Sequence, residues 1–471
     1  MKNLIKIENN HCEIIDSTTN PCTSFIHSNL RYWFEGATYA RAYEEGEWDG
    51  YISLFKFGRF PTGLLHHVVS LLTENNYEFE LEDNREKLID VNPDGLNLHV
   101  GSNELYTHQH SMLLKSFNYL EFNKNPWHRG VINAATNSGK TYWAASLLNN
   151  LKNCKCLFIV HRKELFNQTY EFFTEVFGEE KVGRIQGKTF EQSKLVDIAM
   201  INTLTKYNKA NNIEWINDYN TLIMDECHLA SANTWYEIGL ISNASVRYLI
   251  SATPWGSENE LKQRKIEAIA GNELIHITKD DLIKNDISRK PQIHLHELTH
   301  PKENYKSYLE EKDFGIVHNH ERNEIIKNIV YNNKDKSIII TVKKLEHMNA
   351  IYSYIKSIIK HSKIGLLYGN AIDREDVLQG FLSGSVNVLI TTQLIREGIN
   401  IPIADVMIIA QGGKSKIAVN QLTGRVERKK DNSKTVEVHD FIDKGKHIEK
   451  HSKKRIEVYQ SPENGYEIVE G

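Results

Sequence analysis

The sequence predicts an α/β fold in which two tandem parallel-sheet domains follow a small N-terminal α+β domain. Apolar strand-like segments alternate with helix-like segments across residues 101–286, which is typical of a parallel sheet covered on both faces. The same alternation repeats across residues 287–446, after a polar hinge-like stretch at 285–291. Residues 1–100 lack this alternation, and residues 447–471 form a C-terminal tail. These four ranges are the predicted domain boundaries.

The N-terminal region combines a strand-like segment with an amphipathic helix. Residues 51–57 favour a strand, residues 64–72 have helical spacing, and residues 92–95 form a turn signal near the boundary. Charged and aromatic residues interleave here, which fits either an accessory nucleic-acid surface or a structural cap with an aromatic core. The residues concerned are Arg31, Tyr32, Trp33, Arg41 and Lys56.

The most informative segment is residues 134–141, which read Ala-Ala-Thr-Asn-Ser-Gly-Lys-Thr. An apolar strand-like segment precedes it and a helix-like segment follows, the context that a phosphate-binding loop needs. The small residues Thr136, Asn137, Ser138 and Gly139 let backbone N–H groups surround a phosphate at a helix N-terminus. In such a loop Lys140 reaches the β- and γ-phosphates, and the Thr141 hydroxyl is a ligand of Mg²⁺. Ala134 departs from the general pattern, which begins with Gly.

A second Gly-Lys-Ser tripeptide occurs at residues 413–415, also after an apolar strand-like segment. Ile408 stands five residues upstream, where a phosphate loop opens with a small residue. We therefore interpret this copy as a surface turn.

An apolar segment that ends in two acids, residues 221–228, supports the assignment of the phosphate loop. Asp225 is placed to hold Mg²⁺ through water, and Glu226 to orient and deprotonate an attacking water. An acidic loop after a core strand is common by itself. Its pairing with residues 134–141 favours the catalytic interpretation.

Further segments follow strand-like runs at 160–165 and 251–254, and an apolar run at 388–392 leads into residues 396–402. Residues 421–428 place Arg425 and Arg428 three positions apart on a predicted helix face. Such arginines can act as arginine fingers beside a γ-phosphate. Without other evidence, two arginines at this spacing more often form a solvated basic face.

Composition narrows the class of protein. The chain has 471 residues and a formal net charge of −4, so contacts with phosphate must come from local patches, hydroxyls and backbone amides. Six basic residues between 444 and 455 form one such patch, or else a solvated helix face. The five cysteines lack zinc-site spacing, and no segment resembles a signal peptide or membrane span, which favours a cytoplasmic protein with reduced thiols and no membrane partner.

In order, these segments resemble the motifs of superfamily 2 helicases over residues 105 to about 445. Within that superfamily the chain is similar to phage recombination helicases of the UvsW type. That likeness rests on residues 46–55 and 60–65, on 414–417 before the arginine segment, and on 438–443 after it. The resemblance implies two RecA-like domains that hydrolyse ATP with Mg²⁺. At the fourth position of the acidic motif the chain has His228, where Asp is more familiar, and in this it is similar to the Asp-Glu-x-His members of the superfamily.

The resemblance also implies roles for individual residues. Tyr106 would stack on adenine and Gln109 would read the base edge. The remaining ATP contacts would come from Gln421, Arg425, Arg428, Gly398 and Asn400. Coupling of hydrolysis to strand movement would use His228, Ser251 and Thr253, and the nucleic-acid backbone would meet Arg162, Thr203 and Thr392.

Two departures from the family pattern are visible. Asn137 stands where many members carry Gly, and Glu397 where many carry Arg. Neither removes the lysine, the acids or the arginines, so we expect ATPase activity to survive both.

The expected function is therefore that of an ATP-dependent DNA helicase or translocase. The expected partners are single-stranded and branched DNA, together with proteins of phage recombination or replication, in the host cytoplasm if the chain is phage-encoded. One alternative is an RNA-directed helicase, which would need contacts to the ribose 2′-OH. Another is a motor subunit that moves along DNA within a larger complex without unwinding it.

Overall fold

The computed structural model describes residues 3–15, 21–85, 95–117, 129–256, 259–299, 305–369, 373–392, 404–429 and 433–469. The chain divides into two compact units. The first comprises Met1–Ala135 and Gly139–His276, and the second comprises Thr136–Ser138 and Ile277–Gly471. The N-terminal hundred residues thus share a unit with the first large sheet. The division falls at 276/277, whereas the sequence analysis placed it at 286/287.

The N-terminal layer is built around a four-stranded sheet of order β5-β2-β1-β6. The strands of the layer, four of which form this sheet, are β1 Asn3–Ile7, β2 His11–Ile15, β3 Arg31–Trp33, β4 Tyr51–Ser53, β5 Arg59–Pro61, β6 Phe79–Asp83, β7 His99–Val100 and β8 Asn103–Glu104. Its helices are α1 Pro21–Asn29, α2 Arg41–Glu44 and α3 Leu65–Glu74. The helix predicted at 64–72 is confirmed. The strand predicted at 51–57 is too long, because Phe57 and Gly58 adopt positive φ angles of 53° and 75° and turn the chain into β5.

The first unit continues with an eight-stranded sheet of order β12-β11-β13-β10-β14-β15-β9-β16. Its strands are β9 Arg129–Ala134, β10 Cys156–Val160, β11 Val182–Gln186, β12 Thr189–Glu191, β13 Val196–Met200, β14 Thr221–Asp225, β15 Val246–Ser251 and β16 Glu273–Ile277. Its helices are α4 Thr107–Ser116, α5 Lys140–Asn150, α6 Lys163–Phe177, α7 Ile201–Lys209, α8 Asn233–Ile241 and α9 Glu260–Ala270. The run β11-β13-β10-β14-β15-β9 is parallel throughout, and its strands are apolar on both faces because helices cover both.

The N-terminal layer packs on helix α9. Leu261 and Ala268 of α9 belong to the same buried cluster as Ile5, Phe60 and Leu64 of the layer. Gly63 permits the approach, because a Cβ atom there would lie 2.0 Å from the carbonyl oxygen of Glu267. The layer and the first sheet therefore share a hydrophobic core.

The second unit contains a seven-stranded sheet of order β19-β20-β18-β21-β22-β17-β23. Its strands are β17 Lys290–Glu297, β18 Ile338–Thr341, β19 Ile364–Leu367, β20 Val388–Thr391, β21 Val406–Ile409, β22 Thr435–Ile442 and β23 Glu467–Val469. Its helices are α10 Lys279–Lys284, α11 Tyr308–Lys312, α12 His320–Asn332, α13 Leu345–Ile355, α14 Arg374–Leu382, α15 Lys416–Val426 and α16 Ile448–Gln460. Every adjacent pair is parallel, and a buried apolar cluster lies on each face. Two parallel-sheet domains and a small N-terminal layer confirm the predicted fold class.

Three of the six basic residues in the predicted patch at 444–455 are engaged in ion pairs. Lys444 pairs with Glu297 at 2.7 Å and Lys453 with Glu449 at 2.8 Å. Arg455 is buried, and its guanidinium binds the carboxylates of Asp440 and Asp443 at 2.8 and 3.4 Å. Arg455 therefore fastens α16 to the end of β22 and is not a surface phosphate contact.

The Gly-Lys-Ser copy at 413–415 lies in the loop between β21 and α15. Gly412 and Gly413 have positive φ angles of 62° and 108°, and Ser415 caps α15 by accepting a hydrogen bond from the Ala418 amide at 3.2 Å. None of the helices in the described ranges is long and apolar enough to cross a membrane.

Candidate ATP site and nucleic-acid edge

The candidate functional residues of the first unit meet at one edge of the eight-stranded sheet. Asp225 lies opposite Ile250 in the register of β14 with β15, and Ser251 lies opposite Asn133 in the register of β15 with β9. The phosphate loop follows β9, the acidic pair ends β14, and the Ser-Ala-Thr segment ends β15. Because these strands are parallel neighbours, their carboxyl ends form the edge where ligands bind in α/β sheets.

The predicted phosphate loop connects β9 to α5. Asn137 and Gly139 adopt positive φ angles of 70° and 76°, and Gly139 is the N-cap of α5. Successive backbone N–H groups in such a loop can turn toward an anion at the helix N-terminus. The Lys140 ammonium donates to the carbonyls of Ala134 and Ala135 at 3.0 and 3.2 Å, so the loop itself holds this side chain. Burial lowers the Lys140 pKa, while Glu226 and Asp225 act in the opposite direction.

The predicted adenine-reading residues lie against this loop. The Gln109 side chain is buried, and its Oε1 accepts a hydrogen bond from the Tyr106 amide at 3.0 Å. A Cβ atom at Gly139 would lie 2.0 Å from Gln109 Nε2, so only glycine lets the amide rest on the loop. The Tyr106 ring is 62% exposed and stacks on His108 with centroids 6.0 Å apart. The amide is therefore fixed beside the phosphate loop, and the ring offers surface to a base.

The acidic pair is strained and linked to β15. Glu226 adopts a left-handed conformation with φ 55°, and its amide donates to Asp225 Oδ1 at 2.9 Å. His228 Nδ1 lies 3.3 Å from Glu226 Oε2 and 3.3 Å from Ser251 Oγ. Ser251 Oγ in turn accepts from the Thr253 amide at 3.1 Å. A short polar chain thus joins the predicted base to the three predicted coupling residues.

The two carboxylates differ in their electrostatic setting. Burial raises the pKa of Asp225 to about 6, and the neighbouring charge of Glu226 adds to the effect. Burial also acts to raise the pKa of Glu226, but the His228 hydrogen bond and the Lys140 charge outweigh it, so that pKa is lowered. Glu226 is therefore the carboxylate better suited to stay ionised as a base.

The donor set fits Mg²⁺. Thr141 lies in the first turn of α5 and Asp225 at the end of β14, at the same sheet edge. In the ranges that the structure describes, no group of three or more His, Cys, Asp or Glu side chains is arranged to hold a metal. Mg²⁺ commonly uses one or two protein oxygens and completes its shell with water and phosphate, so a hydroxyl and a carboxylate suffice.

The predicted nucleic-acid residues of the first unit lie at the same edge, after β10, which neighbours β14, and after β13, the next strand beyond it. Arg162 is the N-cap of α6 after β10, and Thr203 lies in the first turn of α7 after β13. The Thr203 hydroxyl is buried and accepts from the Gly187 amide at 2.9 Å, so it holds the β11–β12 turn. Contact of Arg162 and Thr203 with a nucleic-acid backbone stays a prediction.

In the second unit, α15 carries Gln421 and Arg425, both partly exposed. The prediction that both arginines share a helix face is wrong, because α15 ends at Val426. Arg428 lies beyond that end, where its backbone forms a β-bridge with Ser288. Thr392 directly follows β20, and its amide donates to the Leu367 carbonyl at 3.1 Å. Gly398 and Asn400, together with Glu397, lie outside the described residues.

The sequence analysis missed an anchor of α15. The buried Lys279 ammonium donates to Glu427 Oε1 at 2.7 Å, to the Thr423 hydroxyl at 2.9 Å and to the Asn420 carbonyl at 3.2 Å. It also donates to the Tyr466 hydroxyl. The only local signal at Lys279 was the capping box of Thr278 and Asp281, which indicates a helix start and not a long-range pair.

Comparisons with known proteins agree with the fold of two parallel-sheet domains. Residues 102–255 match the family model "Type III restriction enzyme, res subunit", and residues 321–430 match "Helicase conserved C-terminal domain". The ATP-dependent DNA helicase uvsW of Enterobacteria phage T4 is 24% identical over 459 residues, which cover 90% of this chain and 88% of that protein. Putative helicase 22 of a Sulfolobus islandicus filamentous virus is 25% identical over 375 residues, 71% of this chain and 64% of that protein. The crystal structure of T4 UvsW superposes with a TM-score of 0.50 at 20% identity, covering 100% of this chain and 99% of that chain.

Proposed function

We propose that this chain, a superfamily 2 DExH helicase that resembles UvsW, uses ATP to move along DNA and remodel branched DNA by strand unwinding and branch migration. The setting we propose is phage recombination or replication, in the cytoplasm of the host. One observation carries the proposal. Along a single sheet edge, the phosphate loop and acidic pair lie beside the strands that end at Arg162 and Thr203. In this proposal His228 and Ser251 link the acidic pair at the end of β14 to the end of β15.

In the proposed cycle, ATP phosphates draw the Lys140 ammonium away from the carbonyls of Ala134 and Ala135. Gln109 and Tyr106 hold the base beside the loop. Glu226 accepts the proton of the attacking water, and His228 registers the change because it contacts both Glu226 and Ser251. When bound at Thr141 and Asp225, Mg²⁺ would neutralise charge on the phosphates.

Residues of the second unit complete the proposal. Arg425 and Arg428 would stabilise charge on the γ-phosphate, with Gln421, Gly398 and Asn400 as further nucleotide contacts. Thr392 would bind the nucleic-acid backbone.

The test is steady-state ATPase activity of the purified chain without nucleic acid, with single-stranded DNA, with forked and four-way DNA, and with RNA of matched sequence. We expect the strongest stimulation with branched DNA. Stimulation by RNA alone would contradict the proposal and favour an RNA-directed helicase.

Two variants test the assigned chemistry in the same assay. Lys140→Ala should abolish turnover, and Glu226→Gln should bind ATP while turnover collapses. Turnover like that of the unmodified chain in either variant would contradict the assigned role.

A second candidate is a translocase subunit that moves along DNA without separating strands. The match of residues 102–255 to a restriction-enzyme subunit favours it. DNA-stimulated ATPase without unwinding of a fork, together with displacement of a third strand from a triplex, would select this candidate over the first.

A further inference from the structure

A groove lies between the N-terminal layer and the first sheet domain, away from the phosphate loop. Its volume is about 510 Å³, within the range of small-ligand sites. The layer contributes β2, the segment from β4 to β5 and the chain around them, and the sheet domain contributes α8 and α9. Both walls belong to the same compact unit.

A hydrogen bond links the two walls of the groove. The Asn10 side chain donates to the Leu240 carbonyl at the end of α8 at 3.3 Å, and the same Asn10 accepts at Oδ1 from His11 Nδ1 at 2.7 Å. Glu35 of the layer also pairs with Lys262 of α9 at 3.0 Å, but both side chains are exposed, so this pair contributes little to holding the walls. The groove is therefore a preformed feature of the unit.

The groove combines an apolar wall with basic groups. Ile52, Tyr236 and Leu240 are partly exposed and contribute the apolar wall. The basic side chains that line it are His11, Lys56, Arg59 and Lys265. Such a pairing of apolar surface with cations is what nucleic-acid-binding grooves present to a base and its phosphate.

Lys265 is the unusual member of this set. The residue is 9% exposed, and its ammonium donates to Asn233 Oδ1 at 2.8 Å and lies 5.2 Å from the centre of the Tyr236 ring. No carboxylate of the described residues lies within ion-pair distance of it. Burial lowers its pKa, with Glu237 acting in the opposite direction. A mostly buried cation without a counter-ion is costly, and a bound anion would remove that cost.

The other charges of the groove are partly compensated. Arg59 pairs with Glu13 at 3.1 Å, and Glu237 accepts from the Asn208 side chain at 3.5 Å. Lys56 is exposed and has no ion pair within the described ranges. Lys56 and Lys265 are therefore the cations available to an anion.

We propose that this groove binds one nucleotide unit of a single strand, with the phosphate at Lys265 and Lys56 and the base on the apolar wall. The assignment of that nucleotide to a DNA strand rests on the proposed function. The chemistry by which the groove would bind a phosphate and a base does not depend on it. A free mononucleotide presents the same groups and is the other source to be tested.

The test uses the full chain and a thymidine oligonucleotide that carries one photo-reactive 4-thiothymidine. Cross-linked peptides are identified by mass spectrometry, and affinity is measured by fluorescence anisotropy without ATP. We expect cross-links within residues 52–61 or 233–240. Cross-links confined to other regions would overturn the proposal.

Two matched variants remove one positive charge each from helix α9. Lys265→Gln should weaken oligonucleotide binding about tenfold and lower the salt dependence by about one phosphate contact. Lys262→Gln, three residues away and outside the groove lining, should stay within about twofold of the unmodified chain. Lys265→Arg should restore affinity, which separates loss of charge from loss of packing. Equal affinities for Lys265→Gln and Lys262→Gln would overturn the proposal.

Two further arms separate the possible ligands. Thymidine monophosphate should displace the oligonucleotide only at concentrations far above the oligonucleotide Kd. If the monophosphate binds as tightly as the oligonucleotide, the ligand is the free mononucleotide and the strand assignment is overturned. An acidic peptide that displaces the oligonucleotide from the groove at comparable concentration would overturn the nucleotide assignment.

Failure of this proposal is distinguishable from failure of the proposed function, because ATPase stimulation is measured in parallel. DNA-stimulated turnover with cross-links elsewhere rejects the groove alone. Cross-links in the groove with turnover indifferent to DNA reject the helicase function and retain the site.

Discussion

Lys279→Met should loosen helix α15, which carries Gln421 and Arg425. The Lys279 and Glu427 side chains are 6% and 1% exposed, and their charged atoms lie 2.7 Å apart. Glu427 is the C-cap residue of α15, so the pair holds that helix against α10. Removal of the ammonium leaves a carboxylate in a site where water cannot replace it.

The magnitude follows from that burial. Breaking a buried pair by removing one partner costs about 3–5 kcal/mol, because an uncompensated charge remains. Glu427 keeps a hydrogen bond from the Tyr466 hydroxyl at 3.1 Å, which favours the lower end of that range. At about 1.4 kcal/mol for each factor of ten, local opening of α15 should become about a hundredfold more frequent.

Amide hydrogen exchange of the full chain measures this opening directly. It reports local stability by segment, which a single unfolding curve of a chain with two compact units does not. Lys284→Met is the matched control, since Lys284 lies on the same short helix but pairs with Asp280 at the exposed surface. We expect that control to leave exchange in α15 unchanged.

The double variant Lys279→Met/Glu427→Met completes a thermodynamic cycle. Two apolar side chains in place of a buried pair are often neutral, so the double variant should recover most of the loss. Exchange in α15 that stays within about threefold of the unmodified chain after Lys279→Met would refute the reasoning. So would a double variant as unstable as the single one.

Three further changes test the site and its support. Gln109→Ala should raise the KM for ATP and reduce discrimination against GTP with little change in kcat, and preserved discrimination in steady-state kinetics would contradict its role at the base. Gly63→Ala should lower the Tm, because its Cβ would lie 2.0 Å from the Glu267 carbonyl oxygen. Gly369→Ala is the control and should leave the Tm unchanged, because the space around Gly369 is open. Equal melting curves for the two variants would refute the close approach at Gly63. His228→Ala should reduce fork unwinding more than ATP turnover, and equal losses in the two assays would argue against a coupling role.

The sheet edge that carries the candidate ATP site could be predicted from sequence because its parts are local. The loop at 134–141 and the acids at 225–226 each occupy consecutive residues after an apolar strand, and parallel strands bring their ends to one edge. The alternation of strands and helices fixed the fold class for the same reason. The sequence pattern did not indicate that α15 ends at Val426, so that Arg428 lies beyond the helix.

The supports of the site could not be predicted, because they join residues far apart in the chain. Lys279 and Glu427, or Arg322 and Asp443, carry no local signal that they will meet. Arg455 illustrates the problem, since in sequence it is one of six basic residues in a tail, and in the fold it is buried against two aspartates. Charge patterning alone does not separate a phosphate contact from a structural ion pair.

The polar chain from Glu226 to Thr253 limits which parts of the structure can respond to a change at Glu226, the predicted base. Ser251 ends a strand that is hydrogen-bonded on both sides, to β14 and to β9, so its backbone cannot shift alone. A rearrangement at His228 must therefore act either on the whole sheet edge or on the chain after Thr253, which leads into α9. Helix α9 carries both the core shared with the N-terminal layer and Lys265 of the groove. The N-terminal layer is thus attached to the helix that follows the predicted coupling residues, and we predict that it responds to ATP instead of acting as a passive cap.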